Sequence, residues 1–143
     1  MILLDASGLV GAFLGEPCAR EVERLLRSRQ TAITAANLTE VVDVMVRVLG
    51  NDLDAVEARL VPLLATTLPV VAIGEVEARR AAEIRISYYD RRDAPLSLAD
   101  CLLLATASVL DAAVATSDVP LSRSARSEGL DVVALKDSAG RRP

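Results

Sequence analysis

The stretch Ile2-Leu3-Leu4-Asp5-Ala6-Ser7-Gly8 opens the chain and decides the fold. Its consecutive apolar residues predict a strand that is buried on both faces, and Ala6-Ser7-Gly8 predicts the turn that leaves this strand. A second run of the same kind, Ala112-Ala113-Val114-Ala115-Thr116-Ser117, is followed by Asp118. Because strands buried on both faces belong to parallel sheets, we expect Asp5 and Asp118 at the same edge of one sheet.

Short apolar segments alternate along the chain with longer segments in which apolar residues recur at helical spacing. The predicted strands are residues 2–5, 32–35, 69–73, 112–116 and 131–135. The predicted helices are a short turn over 8–14, a helix opening at Pro17, and helices over 38–49, 53–64, 75–88, 97–110 and 120–127. This alternation predicts an α/β fold with a parallel five-stranded sheet covered by helices on both faces.

The composition bounds the possible functions. The length of 143 residues is that of one domain, and 52% hydrophobic residues are sufficient for a sizeable core. No apolar stretch reaches the ~18 residues that a membrane span needs, so we expect a cytoplasmic protein without a membrane partner. There is no histidine, which excludes Ser-His-Asp and Cys-His catalysis and most zinc sites. Cys18 and Cys101 lack the spacing of a redox pair and are expected to be buried thiols.

Glu40 and Asp100 each lie a few residues into a predicted helix, and with Asp5 and Asp118 they form an acidic set that a parallel sheet would gather into one pocket. Two carboxylates ~5 Å apart repel by roughly 3 kcal/mol at an effective dielectric of about 20. Four of them therefore need compensation, and Mg²⁺ or Mn²⁺, as one or two ions, prefers such oxygen ligands. The hypothesis is phosphodiester hydrolysis by metal-activated water, which needs no histidine. The net charge of −4 argues mildly against a nucleic-acid partner, but it includes these acids.

Each acid also has a local explanation. Asp5 suits an Asx-turn, and Asp100 suits the first turn of a helix. Glu40 stands at capping-box spacing from Asn37, the expected N-cap, and Asp118 suits an N-cap itself. Polar residues close to the acids are candidates to orient them, although each equally suits a turn or a cap: Ser7, Asn37, Ser97 and Thr116.

Four segments, in this order, resemble the motifs of the PIN domain family, and specifically of the VapC-type toxins of bacterial toxin–antitoxin pairs. They are Leu4-Asp5-Ala6-Ser7 with Leu9-Val10, Asn37-Leu38-Thr39-Glu40, Leu98-Ala99-Asp100 with Leu103-Leu104-Ala105-Thr106-Ala107, and Ala115-Thr116-Ser117-Asp118. The resemblance spans nearly the whole chain and implies a PIN-like domain over residues 1–137. The residues that follow, 138–143, are expected to form a frayed tail. Leu121 departs from the pattern, because the family often has an aromatic residue there.

The resemblance implies a Mg²⁺- or Mn²⁺-dependent endoribonuclease, the toxin of a type II toxin–antitoxin system. Its catalytic and metal-binding residues would be Asp5, Glu40, Asp100 and Asp118. A homodimer and a cognate VapB-like antitoxin are also implied, and the predicted αα-hairpin over 38–64 would help to build a groove for an amphipathic antitoxin segment. Candidates for contact with RNA phosphates are Arg91, Arg92, Arg123 and Arg126.

Other functions stay open. A degenerate PIN domain would only bind RNA or protein, although intact acids argue against it. A receiver-like signalling domain also places acids around Mg²⁺, but it would have an acidic pair where this chain has Ile2-Leu3-Leu4, and Lys136 follows the last predicted strand. A phosphatase with an aspartyl nucleophile would have a second Asp in place of Ser7.

Overall fold

The computed structural model describes residues 1–143, and its centre is a five-stranded sheet in which all neighbouring strands are parallel. The strands are β1 (Ile2–Leu4), β2 (Thr31–Thr34), β3 (Val70–Val71), β4 (Ala113–Thr116) and β5 (Val132–Ala134). Their order across the sheet is β3-β2-β1-β4-β5, so the direction in which strands are added reverses between β1 and β4. The predicted parallel five-stranded sheet is confirmed.

The strands are connected by helices at nearly all the predicted places. These are α1 (Ala6–Phe13), α2 (Ala19–Arg27), α3 (Ala35–Asp43) with a π-helical continuation (Val44–Val48), α4 (Leu53–Thr66), α5 (Glu75–Tyr88), α6 (Leu98–Leu110) and α7 (Val119–Ser127). The short turn expected over 8–14 is therefore a helix that begins directly after Asp5. None of the helices combines the length with the apolar character that crossing a membrane requires.

Helices cover both faces of the sheet, as predicted. Successive strand residues point to opposite faces, so each strand contributes to two cores. Leu3 packs in a core with residues of α5, α6 and α7. Leu4 packs on the other face with residues of α1, α2, α3 and α4. Cys18 and Cys101 lie in different cores and are buried free thiols, as expected.

Gly8 lets the first turn of α1 approach the sheet closely. A Cβ atom at this position would lie 2.8 Å from Leu135 Cδ1 and 3.0 Å from Leu4 Cδ1, well inside the ~3.5–4.0 Å of carbon contacts. Both leucines are fully buried. The missing side chain therefore seats α1 directly beyond the carboxyl end of β1.

The helix after β2 begins earlier than predicted, and Asn37 is not its N-cap. Thr34, the last residue of β2, is the N-cap, and its Oγ1 accepts a hydrogen bond from the N–H of Asn37 at 3.1 Å. Both residue types favour caps, and the extended backbone of Thr34 at the end of a strand decides between them. Asn37 is instead fully buried within the first turn of α3.

A tight connection brings α3 and α4 together, as the predicted αα-hairpin requires. The π-helical continuation is followed by Gly50, whose φ of 72° lies in the left-handed region that glycine tolerates. Asp52 then caps α4, because its Oδ1 accepts from the N–H of Ala55 at 3.1 Å. Apolar side chains of both helices line one groove: Leu38 and Val42 from α3, and Leu60 and Leu64 from α4.

The residues after β5 make contacts with one another and with α2. Asp137 Oδ1 accepts from the N–H groups of Ala139 at 2.9 Å and Arg141 at 2.8 Å. The guanidinium of Arg142 forms an ion pair with Glu21, which also accepts from the N–H of Lys136 at 3.2 Å. These contacts connect the C-terminal residues to α2.

Candidate active site

The ends of β1 and β4 place two of the four predicted acids side by side. Asp5 directly follows β1, and Asp118 lies just after β4. Leu4 pairs with Ala115 in the parallel register, and the N–H of Asp5 donates to the carbonyl of Ala115 at 2.9 Å. Open parallel sheets bind ligands beyond the strand ends at which strand order reverses, and β1 and β4 are those strands.

Two helices bring Glu40 and Asp100 to the same place. Glu40 projects from α3, and Asp100 lies in the first turn of α6. One carboxylate oxygen from each of Asp5, Glu40 and Asp100 lies within 4.8 Å of the others. Asp118 lines the same cleft, which has a volume of about 140 Å³, but it is exposed at the rim. The structure thus brings all four predicted acids to one cleft.

Asp5 is the most tightly held of the acids. It is 3% exposed, and its Oδ2 accepts from Ser7 Oγ at 2.5 Å and from Thr116 Oγ1 at 2.9 Å. Its Oδ1 accepts from Asn37 Nδ2 at 3.3 Å. Thr116 Oγ1 also accepts from the N–H of Asp118 at 2.9 Å, so its own proton is directed to Asp5. Three of the predicted polar neighbours therefore contact this one carboxylate.

Asp100 and Asp118 also serve as helix caps, and the local roles suggested by the sequence are correct for both. Ser97 Oγ accepts from the N–H of Asp100 at 3.0 Å, and Asp100 Oδ2 accepts from the N–H of Ser97 at 2.6 Å. Asp118 Oδ1 accepts from the N–H of Leu121 at 2.7 Å. Each cap occupies one carboxylate oxygen, which leaves the other oxygen available to the cleft.

Glu40 has no such local role. Its Oε2 is buried and has no hydrogen-bond partner. Because the N-cap is Thr34 rather than Asn37, the capping-box explanation of Glu40 does not apply. A buried acceptor without a partner costs about 1–3 kcal/mol, and more when it is charged, so it calls for a ligand. A hard divalent cation, which prefers oxygen ligands, fits this cluster of donors.

Burial and mutual repulsion raise the pKa of three of these acids. Burial, reinforced by the charge of Asp100, raises the pKa of Asp5 from 3.8 to about 6, against the lowering effect of the hydrogen bonds it accepts. Burial, followed by the charges of Asp100 and Asp5, raises the pKa of Glu40 from 4.5 to about 7. Burial also raises the pKa of Asp100, opposed by the hydrogen bonds from Ser97. A cation in the cleft would favour the charged form of each acid.

Two residues that the sequence analysis did not select also belong to this network. Thr34 Oγ1 donates to Asn37 Oδ1 at 2.5 Å, which directs the amide nitrogen of Asn37 to Asp5. Ser117 Oγ donates to Ser7 Oγ at 3.1 Å. Thr34 has a sequence signal, since a threonine at a strand end three residues before an asparagine is a cap candidate. Ser117 has no signal beyond its place in the fourth acidic segment.

The arginines predicted to contact RNA are all exposed, and none forms an ion pair with a carboxylate. Arg91 and Arg92 lie in the loop between α5 and α6, where Asp90 Oδ1 accepts from the N–H of Arg92 at 2.8 Å. Arg123 and Arg126 lie on α7, the helix that Asp118 caps. Their guanidinium groups are therefore not neutralised by the chain itself.

Comparison with known proteins gives one family. The model of the PIN domain family matches residues 2–127. Among curated proteins, none matches the chain in sequence. The crystal structure of FitAcB from Neisseria gonorrhoeae is 27% identical to this chain, has a TM-score of 0.66, and aligns over 92% of this chain and 96% of that one.

Two further solved structures are less than 25% identical to this chain and support the fold alone. VapC20 from Mycobacterium tuberculosis, described as a sarcin–ricin loop cleaving toxin, is 19% identical with a TM-score of 0.66, over 86% of this chain and 94% of that one. A toxin–antitoxin complex from Klebsiella pneumoniae is 23% identical with a TM-score of 0.59, over 82% of this chain and 87% of the matched chain.

Proposed function

The chain belongs to the PIN domain family, and on that basis we propose that it is a divalent-metal-dependent endoribonuclease, the toxin of a type II toxin–antitoxin system in the cytoplasm. The observation that carries the proposal is the cleft in which oxygens of Asp5, Glu40 and Asp100 lie within 4.8 Å of one another. Glu40 Oε2, a buried acceptor that no group of the chain satisfies, supports it further.

The metal-binding residues would be Asp5, Glu40 and Asp100, with Asp118 contributing from the rim. Carboxylates suit Mg²⁺ or Mn²⁺, as one or two ions, because these hard cations prefer oxygen ligands and usually retain several waters. When bound, such an ion supplies Lewis acidity toward a phosphoryl oxygen and lowers the pKa of water. The cleft volume of about 140 Å³ leaves room for an ion with some of its waters.

The chain's own residues would orient the reacting groups. Ser7, Thr116 and Asn37 fix the Asp5 carboxylate, and the reciprocal bonds with Ser97 fix Asp100, as described above. Asp118 Oδ1 is occupied by the cap of α7, so Oδ2 remains to accept a hydrogen bond from the attacking water at the rim. Glu40 Oε2 has no internal donor and is therefore the carboxylate oxygen that is open to the ion.

We propose RNA as the substrate, bound through its phosphates by four exposed arginines of the α5–α6 loop and of α7: Arg91, Arg92, Arg123 and Arg126. Guanidinium groups bind phosphate in a bidentate manner, and these four are not paired with acids. The fold is one on which VapC20 cleaves the sarcin–ricin loop, although the 19% identity to that toxin does not extend to its substrate. Substituting these arginines should weaken RNA binding and reduce its salt dependence.

The test is cleavage of total RNA by the purified protein with Mg²⁺ or Mn²⁺ and with EDTA. We expect EDTA to abolish cleavage, and Asp5→Asn and Asp100→Asn each to lower it at least a hundredfold while circular dichroism shows an intact fold. Asp131→Asn, an exposed acid before β5, is the matched control and should cleave normally. Full cleavage by Asp5→Asn would contradict the proposal, and RNA binding without metal-dependent cleavage would indicate a degenerate, binding-only domain.

We also propose that the antitoxin covers the groove between α3 and α4. The groove is about 400 Å³ in volume and has apolar residues beside the acids Asp43 and Glu57. These properties suit an amphipathic helix with basic residues along its edge. Val42→Asp should therefore abolish co-purification with the product of the adjacent reading frame and leave cleavage unchanged, whereas retained co-purification would place the antitoxin elsewhere.

The proposed assembly is a homodimer. Light scattering on the purified toxin should give twice the mass of the chain, and a monomeric mass at micromolar concentration would contradict this part of the proposal.

A further inference from the structure

A chain of hydroxyl groups leads from the loop after β4 into the cleft. Ser117 Oγ donates to Ser7 Oγ at 3.1 Å, and Ser7 Oγ donates to Asp5 Oδ2 at 2.5 Å. Ser117 does not line the acidic cleft, and neither the charge pattern nor the family motif gives it a role. Its hydroxyl is connected to the site through Ser7.

The direction of these bonds follows from what each group can do. An ionised carboxylate only accepts hydrogen bonds, so Ser7 must use its one proton toward Asp5. Ser7 then has only lone pairs to offer, and Ser117 must be the donor between the two serines. A second hydroxyl chain has the same polarity, because the N–H of Asp118 donates to Thr116 Oγ1, which donates to Asp5.

The sheet register places Ser117 where this contact is possible. Leu4 of β1 is paired with Ala115 of β4, so the residues that follow each strand diverge from adjacent points. Thr116 therefore faces Asp5 directly, whereas Ser117 lies beside the first turn of α1, where Ser7 is located. The close approach of Gly8 to Leu4 and Leu135 fixes the position of this first turn of α1.

On the basis of the proposed function, we infer that Ser117 is a positioning residue that sets the affinity of the cleft for its divalent cation by orienting Ser7 against Asp5. A serine hydroxyl has three staggered positions, and only the one observed supports Asp5. Donation from Ser117 holds Ser7 in that position and polarises its O–H bond toward the carboxylate. Groups that orient a ligand typically change metal affinity or activity by about 10–100-fold, and an effect through one more hydroxyl is smaller, about 3–10-fold.

The test is Mn²⁺ affinity, measured by calorimetry on four proteins: the wild type, Ser117→Ala, Ser7→Ala and the double variant. We expect Ser117→Ala to weaken Mn²⁺ binding about 3–10-fold. In the Ser7→Ala background the same substitution should change the affinity less than about 1.5-fold, because its intermediary is gone. Ser117→Thr keeps a hydroxyl and should restore binding, and Ser108→Ala, an exposed serine of α6, is the matched control.

A general structural role predicts a different pattern, in which Ser117→Ala weakens binding by the same factor with and without Ser7. That additivity, or unchanged Mn²⁺ affinity in Ser117→Ala, would overturn the inference. If Ser117→Ala does not fold, Ser117→Cys gives the same comparison, because a thiol of similar size is a poor donor.

A crystal structure of metal-free Ser117→Ala tests the positioning without any bound ion. We expect Ser7 to leave the rotamer that contacts Asp5, and an unchanged rotamer would overturn the inference. If the wild type binds no Mn²⁺, the proposed function fails, and the Ser7 rotamer still decides the role of Ser117.

Discussion

Substituting Glu40 by glutamine should make the metal-free protein more stable and at the same time remove most of the stabilisation that a bound metal ion provides. Burial and the neighbouring acids raise the pKa of Glu40 from 4.5 to about 7, so its charge is unfavourable in the folded state. The difference between these values corresponds to roughly 3 kcal/mol at pH well above 7. Partial exposure of the residue and the new buried amide reduce the expected gain of Glu40→Gln to about 2 kcal/mol.

The sign and the pH window follow from proton linkage. The folded wild type binds the Glu40 proton more tightly than the unfolded chain does, so its stability falls as the pH rises from about 4.5 to about 7. Glutamine does not titrate, so the variant does not lose this stability as the pH rises. The stabilisation by Glu40→Gln should therefore be full at pH 8, decline through pH 6, and vanish below about pH 4.5.

The assay is thermal unfolding in EDTA at pH 4, 6 and 8, followed by the same scans with saturating Mn²⁺. At about 3 °C per kcal/mol, Glu40→Gln should unfold ~6 °C above the wild type at pH 8 in EDTA. Mn²⁺ at a hundred times its Kd stabilises the wild type by about 2.7 kcal/mol, and the variant should lose most of this gain. Glu57→Gln, an exposed acid of α4, should change stability by less than about 0.5 kcal/mol.

Two results would refute this reasoning. If Glu40→Gln is less stable than the wild type at pH 8 in EDTA, the charge is compensated within the chain. If its stabilisation is as large at pH 4 as at pH 8, the effect is due to packing rather than to ionisation.

Three further predictions concern the supports of the cleft. Asp118→Asn should lower RNA cleavage less than substitution of the three inner acids, because it is exposed; an equal loss in kcat/KM would contradict this. Gly8→Ala should destabilise the fold by about 1–3 kcal/mol in urea unfolding, because its Cβ would lie 2.8 Å from Leu135 Cδ1, and an unchanged midpoint would show that α1 can shift. Thr34→Ala should lower stability by about 1 kcal/mol through the lost cap and should also weaken Mn²⁺ binding, because Asn37 is no longer held by Thr34 Oγ1. Thr34→Ser keeps a hydroxyl and should preserve both the stability and the Mn²⁺ affinity. Equal Mn²⁺ affinity of the two variants would show that Thr34 does not orient the Asn37 amide.

The convergence of the acids could be predicted because it depends on few assumptions. An apolar run followed by Asp5 and a second followed by Asp118 suffice to place both at one edge, since parallel strands end together. Glu40 and Asp100 were predicted from their places early in helices, which is a weaker argument because a helical position does not by itself reveal which way a helix packs, and the family resemblance supports both. The helix-capping roles of Asp100 and Asp118 are compatible with a role in the cleft, since a carboxylate has two oxygens and a cap uses one.

The differences from prediction lie where local preference and tertiary packing conflict. Ala6-Ser7-Gly8 is typical of a turn, but the fit of Gly8 against two buried leucines makes it the start of α1. Strand β3 has two residues where 69–73 was predicted, and it pairs only with β2 at the edge of the sheet. Contacts such as that of Ser117 with Ser7 join residues 110 positions apart and leave no local pattern in the sequence.

The fold provides hydrogen-bond donors to three of the four acids and leaves a buried oxygen of the fourth, Glu40, without a partner. Asp5 has three donors, Asp100 has Ser97, and Asp118 caps α7, where the positive end of a helix dipole favours a negative charge. Glu40 lies inside α3 rather than at its end, and its buried oxygen has no partner. Among the four acids only Glu40 thus has a buried oxygen without a partner, which a cation would satisfy, while the other carboxylates are already held in place before it binds. For this reason Glu40 is the position at which stability and metal binding should change in opposite directions.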